Sequence, residues 1–202
     1  MSRSKEMDLT TGNPFQSLLK FAIPVILGNL FQLFYTLADS VIVGKTLGAE
    51  ALAAVGSTSI IIYFVFCFIN GFTGGFGICL GQRCGAKDEK GMRKSIAAST
   101  LLSIIFTVIL TLVCCLLSHQ ILHWMQIPED ISGKAYDYMF IVLLGTGATV
   151  FYNMISNMLR ALGDSKTPLY FLVFSSVLNV FLDILFIVPF HMGVAGAAWA
   201  TI

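Results

Sequence analysis

The stretch Leu169-Tyr-Phe-Leu-Val-Phe-Ser-Ser-Val-Leu-Asn179-Val-Phe-Leu-Asp183-Ile-Leu-Phe-Ile-Val-Pro-Phe190 decides the fold. It is apolar throughout except for a few hydroxyls, one amide and one carboxylate. A helix needs roughly 20 such residues to cross a hydrocarbon core about 30 Å thick. Working outward, four more runs of this kind lie at about 17–44, 51–81, 96–117 and 135–159, with the quoted run at 169–190. A sixth pattern opens at Gly193-Val-Ala-Gly-Ala-Ala-Trp-Ala-Thr-Ile202 and is too short to span. The expectation is an all-α, multi-pass membrane bundle of five full transmembrane helices plus the start of a sixth at 193–202, cut within that helix. Composition agrees: 56% of the 202 residues are hydrophobic and 11% charged, against about 25% charged in soluble domains.

Charge placement matters more than the net charge of +1, which offers no basic field for nucleic acid. Arg3, Lys5 and Lys20 precede or open the first run. Arg83, Lys87, Lys90, Arg93 and Lys94 follow the second, and Arg160 and Lys166 follow the fourth. The opposite side has Lys45 and Lys134. Basic residues stay in the cytoplasm, so the N-terminus is expected inside, in a bacterial-type plasma membrane. The start, Met1-Ser-Arg-Ser-Lys-Glu-Met-Asp8, lacks the pattern of a cleavable leader, and the first run is expected to be retained. Five cysteines, Cys67, Cys79, Cys84, Cys114 and Cys115, show no metal-ligand spacing. His119 and His123 lack a third ligand and are expected at the membrane edge beside Trp124. Gly163-Asp-Ser-Lys-Thr-Pro168 is read as a turn with a helix starting at Pro168, and 126–133 as an outer loop.

Two aspartates stand inside apolar runs, Asp39 and Asp183. A carboxylate at mid-membrane costs about 2.5–3.5 kcal/mol on insertion scales, so such groups mark ion or proton pathways by default. At 1.5 Å per residue, Asp39 lies roughly 8 Å below the end of its run, Asp183 roughly 10 Å and Thr201 roughly 12 Å. Asn179 shares the Asp183 face by i,i+4 spacing. The four therefore fall in one layer, and their oxygens suit a hard cation such as Na+ or a shared proton. No other metal is expected. Gln32 and Tyr35 lie one to two turns from Asp39 and extend the polar set. Asn153 and Asn157, four apart, either bond across helices or support the site. Pro24 is either a hinge or a proline tolerated near a helix start. Gly77-x-x-x-Gly81-x-x-x-Gly85 reads as a seam for close helix contact; without a preceding strand it is not a dinucleotide fingerprint.

The chain resembles the N-terminal half of the multidrug and toxic compound extrusion (MATE) transporters. The resemblance rests on Phe21-Ala-Ile-Pro24, Asp39-Ser-Val-Ile-Val-Gly44, Leu47-Gly-Ala-Glu-Ala-Leu-Ala-Ala-Val-Gly56 and Gly85-Ala-Lys-Asp88. Leu159-Arg-Ala-Leu-Gly-Asp-Ser-Lys-Thr-Pro168, Leu178-Asn-Val-Phe-Leu-Asp183 and Gly193-Val-Ala-Gly-Ala-Ala-Trp-Ala-Thr201 continue it. Their order and spacing cover nearly the whole chain. The resemblance implies one lobe of a twelve-helix, two-lobe antiporter, with a C-terminal lobe as its partner. It implies export of amphipathic, often cationic compounds against Na+ or H+, with no cofactor and no enzymatic activity. Carried over, the cation or proton site falls on Asp39, Asn179, Asp183 and Thr201. The bending first helix falls on Pro24, and supporting polar residues on Asn153 and Asn157. One alternative is a lipid-linked oligosaccharide flippase of related architecture, which would present basic residues deep in its spans. Another is an intramembrane aspartyl protease, which would carry a Gly-x-Gly-Asp type motif. Neither feature is present in the sequence.

Overall fold

The structure is a computed structural model that describes residues 14–202. The basic residues Arg3 and Lys5 of the orientation argument lie outside the described residues. Seven α-helices follow one another: α1 (Pro14–Leu47), α2 (Ala49–Gly85), α3 (Glu89–Trp124), α4 (Glu129–Leu144), α5 (Thr146–Ala161), α6 (Lys166–Ile187) and α7 (Gly193–Thr201). Among the described residues, α1, α2, α3 and α6 are long and apolar enough to cross a membrane; counted as one unit, the bent pair α4–α5 passes the same test as a fifth.

Several connections are set by backbone chemistry. Gly48 alone separates α1 from α2, at φ 86°, a conformation that favours glycine. Asp88 starts α3 by accepting the Gly91 N–H at 2.9 Å. The outer loop expected over 126–133 is shorter, because α4 already begins at Glu129. Pro128 precedes it, and Glu129 and Asp130 complement the positive end of the helix dipole. At the next turn α6 begins at Lys166, two residues before the expected Pro168. Asp164 Oδ1 accepts the N–H groups of Lys166 and Thr167 at 3.1 and 3.0 Å, and its Oδ2 accepts the Thr167 hydroxyl at 2.6 Å. The turn residue captures the first donors and draws the helix back towards itself.

The fourth run is not one straight helix. It breaks at Gly145, and α4 and α5 meet at 43°. Two glycines and a threonine in Leu144-Gly-Thr-Gly147 supply the weak point, since glycine lowers the cost of leaving helical geometry. Thr146 turns its hydroxyl back onto the Leu143 carbonyl. Gly145 lies against the Ile202 side chain with no room for a Cβ.

The packing is that of a bundle in lipid. α2 runs through the middle, against α3, α4, α5 and α1, while α1 lies along α6, and α7 fits among α6, α4 and α1. One core cluster joins Val43, Val55, Val142, Ile187 and Ala197; a second joins Val65, Ile69, Met139, Leu143 and Val150. Large apolar side chains face outward instead, Leu116 at 78% exposure and Ile60 at 70%. Hydroxyls such as Thr58, Thr73, Ser99 and Ser118 are buried. Apolar outside with small and hydroxyl residues inside is the pattern for helices surrounded by hydrocarbon. The glycine seam of α2 meets α5: a Cβ on Gly77 would stand 3.1 Å from the Asn157 carbonyl oxygen, and one on Gly81 3.8 Å from Ala161 Cβ. Gly85 has open space beside it.

Candidate cation site between α1, α6 and α7

Asp39 projects from α1 and Asp183 from α6, the two helices that lie along each other. Asp183 is completely buried, and Asp39 and Asn179 are buried at 7% and 6% exposure. The two carboxyl groups lie within hydrogen-bonding reach of each other. As two carboxylates they have nothing to donate. Asp39 Oδ1 and both Asp183 oxygens are then buried acceptors without a partner. A single proton between them, or a cation, removes that deficit.

Asn179 stands one turn from Asp183 on α6. Its Nδ2 donates to the Ala200 carbonyl of α7 at 3.1 Å, which leaves its Oδ1 buried and without a donor. Thr201 is half-buried on α7, and its hydroxyl donates to Ala197 O of its own helix at 2.9 Å. Both lone pairs of its oxygen remain for other contacts. Carboxylate, amide and hydroxyl oxygens make a hard donor set, which fits an alkali cation or a proton. Among the described residues no group of three His, Cys, Asp or Glu side chains comes together.

Tyr138 of α4 completes the cluster, and sequence reasoning missed it. It is buried at 6% exposure, within electrostatic reach of Asp39 and Asp183 and within hydrogen-bonding reach of Thr201. The available signal was depth. Tyr138 lies nine residues into α4, or roughly 14 Å, from the same end of the bundle as the aspartates.

The other expected residues divide. Tyr35 is partly buried near the aspartates. With Phe34, Ala38, Val177 and Val180 it lines an apolar groove of about 300 Å³ between α1 and α6. Gln32 is exposed, and its carbonyl accepts the Thr36 hydroxyl at 3.0 Å. Asn153 Nδ2 bonds Thr149 O of its own helix at 2.8 Å, and Asn157 Nδ2 bonds Thr73 Oγ1 of α2 at 3.2 Å. These amides bind α5 to itself and to α2. Pro24 is buried within α1, which continues through it as one helix. His119 stacks edge-on against Tyr136 at 5.9 Å, and Trp124 is exposed at the end of α3.

A family profile described as MatE matches residues 24–185. Over 198 residues the chain is 40% identical to "Probable multidrug resistance protein YpnP" of Bacillus subtilis (strain 168), covering 98% of this chain and 44% of that protein. It is 29% identical over 192 residues to "Probable multidrug resistance protein NorM" of Thermotoga maritima, covering 93% of this chain and 41% of the relative. The fold superposes on a multidrug resistance MATE family transporter of the MOP superfamily, solved in an outward-facing conformation. The TM-score there is 0.91 at 30% identity, over 100% of this chain and 44% of the other. The chain thus spans less than half the length of the proteins it matches. With the match running from Pro24 to Leu185 across α1 to α6, this multi-pass membrane chain belongs to the MatE family.

Proposed function

We propose that the chain forms one lobe of a secondary active exporter. In this reading Na+ or H+ entry at Asp39, Asn179, Asp183 and Thr201 drives efflux of amphipathic, often cationic compounds. The observation that carries this reading is the set of buried acceptor oxygens on α1 and α6 that have no donor. Such a set is costly to keep in a membrane interior unless a cation or proton visits it. Neutralising Asp39 and Asp183 removes their mutual repulsion and changes how α1 packs on α6. Pro24 gives α1 a place to bend in response. The apolar groove beside Tyr35 suits an amphipathic guest. Relatives named as multidrug resistance proteins support the substrate class. Alternating access needs a second bundle moving against the first, so the partner is a C-terminal lobe that completes the protein, within lipid.

The location in this reading is the cytoplasmic membrane with the N-terminus inside, resting on the basic loops at one end of the bundle. A cysteine replacing Lys90 in a Cys-free background should react with impermeant reagent only from the cytoplasmic side. A flippase reading is weaker. Among the described residues every Lys and Arg lies within about two turns of a helix end, away from the middle of the spans.

The test of coupling is dye efflux in membrane vesicles with the whole transporter that contains this chain. Asp39→Asn and Asp183→Asn should each abolish gradient-driven efflux while leaving the protein inserted. Export at the parental rate in both variants would sink the assignment.

A further inference from the structure

At the end of the bundle where α2 turns into α3 lies a cavity of about 420 Å³, far from the aspartates. Its size falls in the range of about 300–1,000 Å³ typical of small-molecule sites. Arg83, Lys90, Lys94 and Ser95 line it, with Asp88 and Gly91 at its edge. Lys90 and Lys94 are four apart on α3 and share a face. The Asp88 carboxylate, the one acidic group in the lining, is already engaged. One of its oxygens accepts the Gly91 N–H at 2.9 Å and the other pairs with Arg83 at 3.1 Å. The two ion pairs of the described residues are Arg83–Asp88 and Lys134–Glu50, so neither Lys90 nor Lys94 is neutralised by an acidic partner. Gly91 keeps the cavity's edge in shape, because a Cβ there would strike the Asp88 carboxylate and stand 3.0 Å from Arg83 Cδ.

The position selects the ligand. α2 and α3 are both long and apolar enough to cross the membrane, and their connecting turn therefore sits where spans meet water. That is the level of lipid headgroups. We propose that this cavity binds the phosphate of an anionic phospholipid headgroup, held between Lys90 and Lys94 with Arg83 and the Ser95 hydroxyl contributing donors. Two ammonium groups on one face of α3, with the Ser95 hydroxyl beside them in the cavity lining, match the several acceptor oxygens of a phosphodiester. Basic clusters beside spans attract anionic lipid in general. Beyond that general attraction, the charges lining the cavity hold the headgroup more strongly than their neighbours of equal charge.

Lys87 and Arg93 supply the comparison, being in the same segment but outside the cavity lining. The purified protein is equilibrated in mixed micelles of phosphatidylglycerol and phosphatidylcholine, and lipid retained is measured by native mass spectrometry. The parent should hold phosphatidylglycerol in preference. K90Q/K94Q should lower that preference about ten-fold, and K87Q/R93Q much less, because neither of those side chains lines the cavity. Gly91→Ala keeps every charge and should also reduce the preference, with unchanged helical circular dichroism. Equal loss in the two double variants would reduce the effect to general charge and overturn the site. So would an unchanged preference in K90Q/K94Q. Soluble glycerol phosphate at millimolar concentration should not displace the lipid; full displacement would assign the cavity to a free phosphate ester instead.

Discussion

Asn179 on α6 donates its amide hydrogen to the Ala200 carbonyl on α7 at 3.1 Å, and this one bond fixes which way its side chain faces. With the nitrogen committed to α7, the oxygen is the atom left over, buried and without a donor. The same residue thus ties two helices together and adds an acceptor to the aspartate cluster. Interhelical hydrogen bonds in membranes contribute about 0.6–1.7 kcal/mol. Asn179→Ala should therefore cost about 1 kcal/mol of stability, read as a lower melting temperature in detergent. Thr201→Ala should cost less, since its hydroxyl bonds within its own helix. A parental melting temperature for Asn179→Ala means the tether to α7 does not hold.

Asp183 has no exposed surface and no donor for either oxygen. A buried unsatisfied polar group costs about 1–3 kcal/mol, and more when charged. Asp183→Asn removes the charge at nearly the same volume. With choline as the only added cation at alkaline pH, the variant should melt at a higher temperature than the parent. Adding Na+ or acidifying should then stabilise the parent more than the variant. A variant that melts lower in choline would show that the carboxylate is already satisfied.

The contrast between what was legible and what was not follows from geometry. Depth is a one-dimensional quantity, and 1.5 Å per residue fixes it once a helix end is known. Asp39, Asn179, Asp183 and Thr201 were grouped by depth, and the helices that carry them do pack together. Which way a side chain faces around a helix is a lateral question that depth cannot answer. Asn157 turned out to face Thr73 of α2. Tyr138 escapes for a related reason: hydropathy starts the fourth run at 135, whereas α4 starts at Glu129. A start six residues late puts Tyr138 three residues deep instead of nine, above the layer it occupies. The bend at Gly145 was written in Gly145-Thr-Gly147, but hydropathy averages over a window and passes through such a break.

Gly77 and Gly74 on α2 differ by one turn and should differ sharply in tolerance. A Cβ at Gly77 would stand 3.1 Å from the Asn157 carbonyl oxygen and 3.3 Å from its Cβ, and both belong to the packed α5. At Gly74 nothing lies within 4 Å. Gly77→Val must push α2 from α5 and strain the Asn157–Thr73 bond, at a cost of about 1–3 kcal/mol. Gly74→Ala should be neutral or slightly stabilising, because alanine is the better helix former by about 1 kcal/mol. Thermal unfolding of the two variants in one detergent checks the difference, and similar melting temperatures would mean that α2 and α5 are not in close contact.

Asp164 begins α6, the helix that carries Asn179 and Asp183, so its cap bears on the site from a distance. Partial burial pushes its carboxyl up, but hydrogen bonds from the Thr167 hydroxyl and the Thr167 and Lys166 N–H groups outweigh that. With the nearby Lys166 charge they hold it below the ordinary 3.8. Removing such a cap costs about 0.5–2 kcal/mol, and Asp164→Ala should lose that much at neutral pH. Asp164→Asn keeps an acceptor oxygen and should lose less. A carboxyl lowered in the folded state stabilises fully above its unfolded value and loses that contribution as pH falls through the folded one. The deficit of Asp164→Ala should therefore stay constant from pH 7 to about pH 5 and shrink below about pH 4. Urea unfolding of parent and variants across that range measures it. A deficit that already shrinks between pH 7 and 5 would mean that another group, and not this carboxylate, supports the start of α6.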